Sequence, residues 1–270
     1  MSVELVIIDL DGTLLRTDQT IGEKTVNAIS RAQKQGIKIT FATGRMIPAS
    51  EKYVKMLNIQ LPMIALNGAL VKKLDGEIPI YHRPLKKDVF ERLFPILADS
   101  KAATTIVIGD FSFGWNMNHE VRTKLSSWIV GIQDILPEES PQEPTIAMVA
   151  GEEIPVRKTY DKIVTLNIPD IQFFLFPSIR YYPMWYLEIR AKGVDKGSGV
   201  RALKEKLAIS TDNVLVIGDY INDIPMFGEA GIKTTVANAH QKVIDSVDYV
   251  SPFSCDQDAV AEIIEKFVLK

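Results

Sequence analysis

The run Leu5-Val6-Ile7-Ile8 leads without interruption into Asp9-Leu10-Asp11-Gly12-Thr13. Four consecutive aliphatic residues suit a strand buried on both faces. Two carboxylates one residue apart do not suit burial, because each is costly to desolvate and the pair repels. Gly12 follows at once and lets the chain turn away. The strand therefore ends either in a solvated turn or at a site that holds a cation. Which of these applies depends on what else the fold brings to the same edge.

The rest of the N-terminal part alternates strand and helix. After a strand over residues 3–9, the spacing of Val26, Ile29 and Ala32 predicts a helix over 22–35, stopped by Gly36. A strand over 37–42, a helix over 47–57 with Pro48 near its start, and a third strand over 62–68 follow. The C-terminal part resumes the pattern. It reads as a helix over 196–208, strand 213–219, short helix 222–230, strand 233–239, helix 240–246, strand 248–251 and a last helix over 256–268. Near-continuous aliphatic strands between amphipathic helices predict a doubly wound, Rossmann-like parallel α/β sheet covered on both faces.

The middle differs. Residues 83–190 hold all three Trp, 14 of the 22 aromatic residues and nine of the 14 Pro. Strand-like pieces fall at 104–110 and 163–168, and a helix at 119–130. This segment reads as an inserted α+β domain, with residues 1–82 and 191–270 forming the core. Both parts are large enough for a core of their own.

Composition narrows the functions. A net charge of −3 with interspersed signs offers no broad basic face for nucleic acid. No apolar run is long enough to cross a bilayer, and Asp9 cuts the N-terminal run short of a signal peptide. Cys255 is the sole cysteine, so neither a disulfide framework nor a cysteine metal cluster is expected, and a reducing cytoplasmic setting fits.

In an open parallel sheet, ligands bind beyond the carboxyl ends of the strands. Four loops fall there: Asp9 to Thr13, Thr43-Gly44-Arg45, Asn67-Gly68, and Asp219 with Asn222 and Asp223. Right-handed crossovers bring them to one side. Each loop alone reads as a turn or a helix cap. Together they gather carboxylates that need a cation, and oxygen-rich sites of this kind suit Mg²⁺. A carboxylate is already ionised near neutral pH and can attack phosphorus, so Asp9 is the candidate nucleophile. Asp11 is the candidate general acid and base. The Thr43 hydroxyl and nearby backbone N–H groups, including those of Leu10 and Gly12, are candidate phosphoryl contacts. Lys196, opening a helix in Lys196-Gly197-Ser198, would neutralise the remaining charge.

These motifs resemble those of the haloacid dehalogenase superfamily of phosphohydrolases, in its Cof-like, type IIB-capped group. Asp9-Leu10-Asp11-Gly12-Thr13 is similar to the first motif, Thr43 to the second, Lys196-Gly197 to the third, and Gly218-Asp219-Tyr220-Ile221-Asn222-Asp223 to the fourth. The resemblance runs over essentially the whole chain, and the group's cap lies where the aromatic-rich insert falls. It implies Asp9 as nucleophile and Mg²⁺ ligand, and Asp11 as general acid and base whose backbone carbonyl also ligates. It implies Asp219 as a further ligand, with Asn222 and Asp223 supporting the metal. Thr43 and Lys196 would bind phosphate, with Asn222 at the same pocket. Asn67 matches a position near the site, and Gly44, Arg45 and Asn238 are candidate substrate contacts. Tyr220 replaces a residue that is often smaller, and Val236-Ala237-Asn238-Ala239-His240 lacks a common glycine.

The expected activity is Mg²⁺-dependent hydrolysis of small phosphorylated metabolites, sugar phosphates foremost, through an aspartyl-phosphate. No nucleic-acid or membrane partner is expected, and the chain is expected to be a monomer or weak homodimer. Phosphoryl transfer to a sugar on the same scaffold is the alternative, and a non-catalytic phospho-acceptor module is the alternative of another class. His82, His119 and His240 lack paired metal-ligand spacing and are read as structural or exposed. The aromatic stretch from Arg180 to Tyr186 is read as packing.

Overall fold

The computed structural model describes residues 2–178 and 180–269. The chain divides into two compact units. One comprises Met1–Gly44, Ser50–Tyr81 and Asp195–Lys270, and the other Arg45–Ala49 and His82–Val194.

The first unit is built on a five-stranded parallel sheet. Its order is Tyr249–Val250, Ile232–Thr235, Val214–Ile217, Leu5–Ile8, Lys38–Phe41. Leu5 pairs with both Val214 and Lys38, and the register continues to Ile8 between Ile217 and Phe41. Every residue of Leu5–Ile8 and of Val214–Ile217 is completely buried, as a strand covered on both faces requires. The helix Glu23–Lys34 buries Thr25, Ala28, Ile29 and Ala32, a stripe at three- and four-residue spacing. The strand order reverses between Leu5–Ile8 and Val214–Ile217. That reversal opens a crevice beyond their carboxyl ends, and the residues there are Asp9 and Asp219.

The third expected strand is shorter and placed differently. Met63–Ala65 meets the five-stranded sheet at a parallel bridge between Ile64 and Ala42, and pairs antiparallel with Leu70–Lys72. Leu66, Asn67 and Gly68 have φ of 50, 53 and 93° and form a single 3₁₀ turn. Three consecutive residues with positive φ cannot continue a strand.

The second unit carries a six-stranded sheet. Its order is Ile171–Pro177, Trp185–Ala191, Ile146–Gly151, Ala103–Ile108, Phe111–Trp115, Gln133–Asp134. All neighbours are antiparallel except the last pair. The strand expected over 163–168 is instead the end of the helix Glu153–Thr165. Ile163 looks like the start of a β-branched run, but it completes the buried stripe of Val156, Thr159 and Ile163. The helix expected over 119–130 ends at Leu125. From the aromatic stretch, Tyr186 packs on Trp128 at 5.1 Å and on Phe176 at 5.6 Å between ring centres, while Tyr182 is exposed. Met46 belongs to this unit, and its N–H donates to the Trp128 carbonyl at 3.0 Å.

Gly68 connects the fold to the site. A Cβ there would lie 1.9 Å from the Asp195 carbonyl oxygen, one residue before Lys196. Its φ of 93° is also strained for any side chain. Gly68→Ala is expected to lose at least about 1–3 kcal/mol of stability and to lower activity by displacing the start of the helix that carries Lys196. Urea unfolding alongside an activity assay checks both, and an unchanged midpoint would contradict this packing.

Candidate active site

Asp9 is held by the last rung of the sheet: its N–H donates to the Ile217 carbonyl at 2.9 Å. Asp219 stands at the corresponding end of the neighbouring strand. Asp223 follows one turn later, completely buried, and its Oδ2 accepts from the N–H groups of Asp219 and Tyr220, both at 2.9 Å. Carboxylate oxygens of Asp9, Asp219 and Asp223 lie within 4.8 Å of one another.

Lys196 lies among them and is itself only 1% exposed. Its Nζ donates to Asp9 Oδ1 and to Asp223 Oδ1, both at 2.5 Å. Its placement is local in origin. Asp195 caps the helix Lys196–Leu207 by accepting from the Ser198 N–H at 2.8 Å, and Ser198 Oγ accepts from the Asp195 N–H in return. Lys196 is thereby fixed as the first residue of the helix.

Charge follows from this geometry. Burial pushes the Asp9 carboxyl well above its usual range; Lys196 opposes the shift, while Asp223, Asp219 and Asp11 add to it. Burial and the Asp223 charge push Asp219 up to about 7, against the hydrogen bond from Thr13. Burial alone would lower Lys196, but the attraction of Asp223 and Asp9 overrides it and keeps the ammonium firmly protonated. Three ionised carboxylates beside one ammonium leave two negative charges, the amount that one divalent cation carries. The hard oxygen donors fit such an ion, so the cluster could hold a metal.

Of the residues expected to bind phosphate, Thr43, Asn67 and Asn222 are linked by hydrogen bonds. Thr43 is completely buried; its N–H donates to the Ile64 carbonyl at 2.8 Å, and its carbonyl accepts from the Asn67 N–H at 3.0 Å. Asn67 Oδ1 accepts from Asn222 Nδ2 at 2.9 Å, tying this loop to the one bearing Asp219 and Asp223. Gly44 closes the first unit's segment beside them, and a Cβ there would sit 3.2 Å from the Asn67 amide nitrogen. Leu10 is completely buried and Asp11 partly exposed. Gly12 has φ of 86°, and a Cβ on it would approach Asp219 Oδ2 to 2.4 Å. Arg45 is buried and belongs to the second unit.

One contributor had no role in the sequence reading. Thr13 Oγ1 donates to Asp219 Oδ1 at 2.7 Å, aligning that carboxylate from the first loop. The hydroxyl directly after Gly12 was the available signal. Among the expected structural residues, His240 caps the helix Gln241–Ile244 and Cys255 is a buried free thiol.

Residues 6–264 match the family of haloacid dehalogenase-like hydrolases, and the chain belongs to that family. It is 25% identical to the 5-amino-6-(5-phospho-D-ribitylamino)uracil phosphatase YitU of Bacillus subtilis, over 97% of each chain. It is 26% identical to a phosphoglycolate phosphatase of Thermoplasma volcanium, over 99% of each chain. Its fold matches the crystal structure of a haloacid dehalogenase-like hydrolase from Bacteroides thetaiotaomicron with a TM-score of 0.84 at 22% identity, covering 98% of this chain and 99% of that one. The enzyme class is phosphatase. No helix among the described residues is long and apolar enough to cross a membrane.

The raised carboxyls carry a pH dependence of stability. The folded protein keeps protons on Asp9 and Asp219 at pH values where the unfolded chain has released them. Their contribution is therefore present at low pH and is lost as pH rises above about 4, for Asp219 by about pH 7 and for Asp9 in the same direction. A divalent cation bound there would replace those protons, so its stabilising effect should grow with pH. Melting of chelator-treated protein should show a larger Mg²⁺-induced rise at pH 8 than at pH 5.5. Equal rises at both would contradict protonated carboxyls in the metal-free site.

Proposed function

We propose that the protein hydrolyses phosphomonoesters of small hydroxylated metabolites, sugar phosphates foremost, with Mg²⁺ as cofactor and Asp9 as nucleophile. The observation that carries this reading is the Lys196 ammonium bridging Asp9 and Asp223 within a cluster of three carboxylates. Asp9, Asp219 and the Asp11 backbone carbonyl would hold the ion, with Asp223 and Asn222 in support. Once bound, Mg²⁺ supplies positive charge that keeps Asp9 ionised and offsets charge on the phosphoryl oxygens.

In the first half-reaction an Asp9 oxygen attacks phosphorus, and the bond from phosphorus to the ester oxygen breaks. Asp11 gives its proton to the departing alkoxide, so the product leaves as an alcohol. In the second, Asp11, now ionised, takes a proton from water. The water oxygen bonds to phosphorus and the Asp9 carboxylate is released, giving inorganic phosphate and restoring both groups. Lys196 and Thr43 bind phosphoryl oxygens throughout, and Asn67 and Asn222 complete that contact set.

The substrate class is favoured by the names of two relatives, one acting on a phosphoribityl compound and the other on phosphoglycolate. Both are small phosphorylated compounds with hydroxylated or hydroxy-acid skeletons.

Release of phosphate from p-nitrophenyl phosphate should require Mg²⁺ and be abolished in Asp9→Asn. Asp11→Asn should slow turnover by about 10²–10⁴-fold while leaving the variant folded. Wild-type activity in Asp9→Asn would remove the nucleophile assignment. A panel of hexose, pentose and polyol phosphates then tests the substrate class, and preference for a nucleotide or a phosphoprotein would overturn it.

A further inference from the structure

We infer that Asn238 is a positioning residue for the metal site, acting through the Gly12 carbonyl; the inference rests on the Mg²⁺ reading given above. Asn238 lies in the turn between the strand Ile232–Thr235 and the helix Gln241–Ile244. Its Nδ2 donates to the Gly12 carbonyl oxygen at 2.8 Å, and its Oδ1 accepts from the Cys255 N–H at 2.8 Å. The amide is thus engaged on both sides by backbone, which makes it a brace between two loops.

What it braces is the junction of the two carboxylate loops. The Gly12 backbone abuts Asp219, as the 2.4 Å approach of a Cβ to Oδ2 shows. The peptide whose oxygen Asn238 holds joins Gly12 to Thr13, and Thr13 Oγ1 donates to Asp219 Oδ1. On the other side of Gly12 is Asp11, whose carbonyl is assigned to the ion. The turn that carries Asn238 is also tied to the second carboxylate loop: the His240 N–H donates to the Asp219 carbonyl at 2.9 Å. One short turn therefore grips the first loop through a side chain and the fourth through its backbone.

The far end of the brace is anchored as well. Ala237 N–H donates to the Phe253 carbonyl at 2.9 Å, two residues before Cys255. Just beyond Cys255, Asp256 accepts from the Thr17 N–H at 2.9 Å, and Asp258 accepts from Arg16 at 2.8 Å and Thr25 at 2.9 Å. The segment that Asn238 leans on is thereby fastened to the same stretch of chain that leaves the first carboxylate loop. Groups that orient metal ligands in this way typically change metal affinity by about 10–100-fold when removed.

The test compares wild type, Asn238→Ala and Asn238→Leu, the second keeping the bulk while losing both hydrogen bonds. Calorimetric titration of Mg²⁺ into chelator-treated protein, without substrate, reads the metal directly; phosphatase kinetics read the rest. The expected result is an Mg²⁺ affinity reduced by about tenfold in both variants, with KM for substrate unchanged at saturating Mg²⁺. Unchanged Mg²⁺ affinity with a raised KM would make Asn238 a substrate contact and overturn the inference. A lowered melting temperature with unchanged Mg²⁺ affinity would make it a structural tie and overturn it equally. Failure of the wild type itself to bind Mg²⁺ would remove the metal reading, and this inference with it.

Discussion

The ammonium of Lys196, set between Asp9 and Asp223, is the interaction on which the site depends. Burying a carboxylate without a partner costs several kcal/mol, and this site buries three within a few ångströms. Lys196 offsets part of that cost and cannot offset all of it. The remainder appears as carboxyls that hold protons far above their ordinary range. A site so constructed is short of positive charge by design of the fold, and it presents that shortage to whatever enters. The same deficit that makes the cluster retain protons is the one that a divalent cation would fill.

Two glycines make this concentration possible. Gly68 lets the chain pass within contact distance of the Asp195 carbonyl, so that the capped helix can deliver Lys196. Gly12 lets the first loop lie directly against Asp219. Both have φ values that only glycine adopts at low cost. The local turns and the capping box precede the electrostatics in the chain of causes: they set where each charge stands, and the charges then determine what the site attracts.

Much of this was legible in the sequence because it is encoded in short range. Aliphatic runs such as Leu5–Ile8, cut short by Asp and Gly, read as buried strands, and in a parallel sheet the residues directly after them fall at one edge. That is enough to bring Asp9, Asp219 and Asp223 together. The losses have physical reasons. Ile163 to Ile168 is β-branched enough to suggest a strand, yet Ile163 is the last buried position of a helix begun ten residues earlier. Leu66 adopts positive φ without being glycine, which no local pattern announces, whereas Asn67 before Gly68 is a residue that tolerates it. Thr13 bonds Asp219 206 positions away, and Asn238, expected beside the substrate, bonds Gly12 226 positions away; such pairings are set by tertiary packing.

Under the proposed mechanism the two aspartates of the first loop take two roles from one spacing, and their surroundings differ accordingly. Asp9 ends a central strand, is 5% exposed, and is gripped by Lys196. A nucleophile gains from that rigidity, because attack requires one oxygen held in line. Asp11 stands two residues on, past the end of the strand and partly exposed. A group that must give a proton to one oxygen and take one from water needs access to both, and deep burial beside Lys196 would deny it. The difference between the two is made by where the strand stops. Leu10 keeps that boundary fixed: completely buried between them, it anchors the chain at the point where the rigid edge ends and the loop begins.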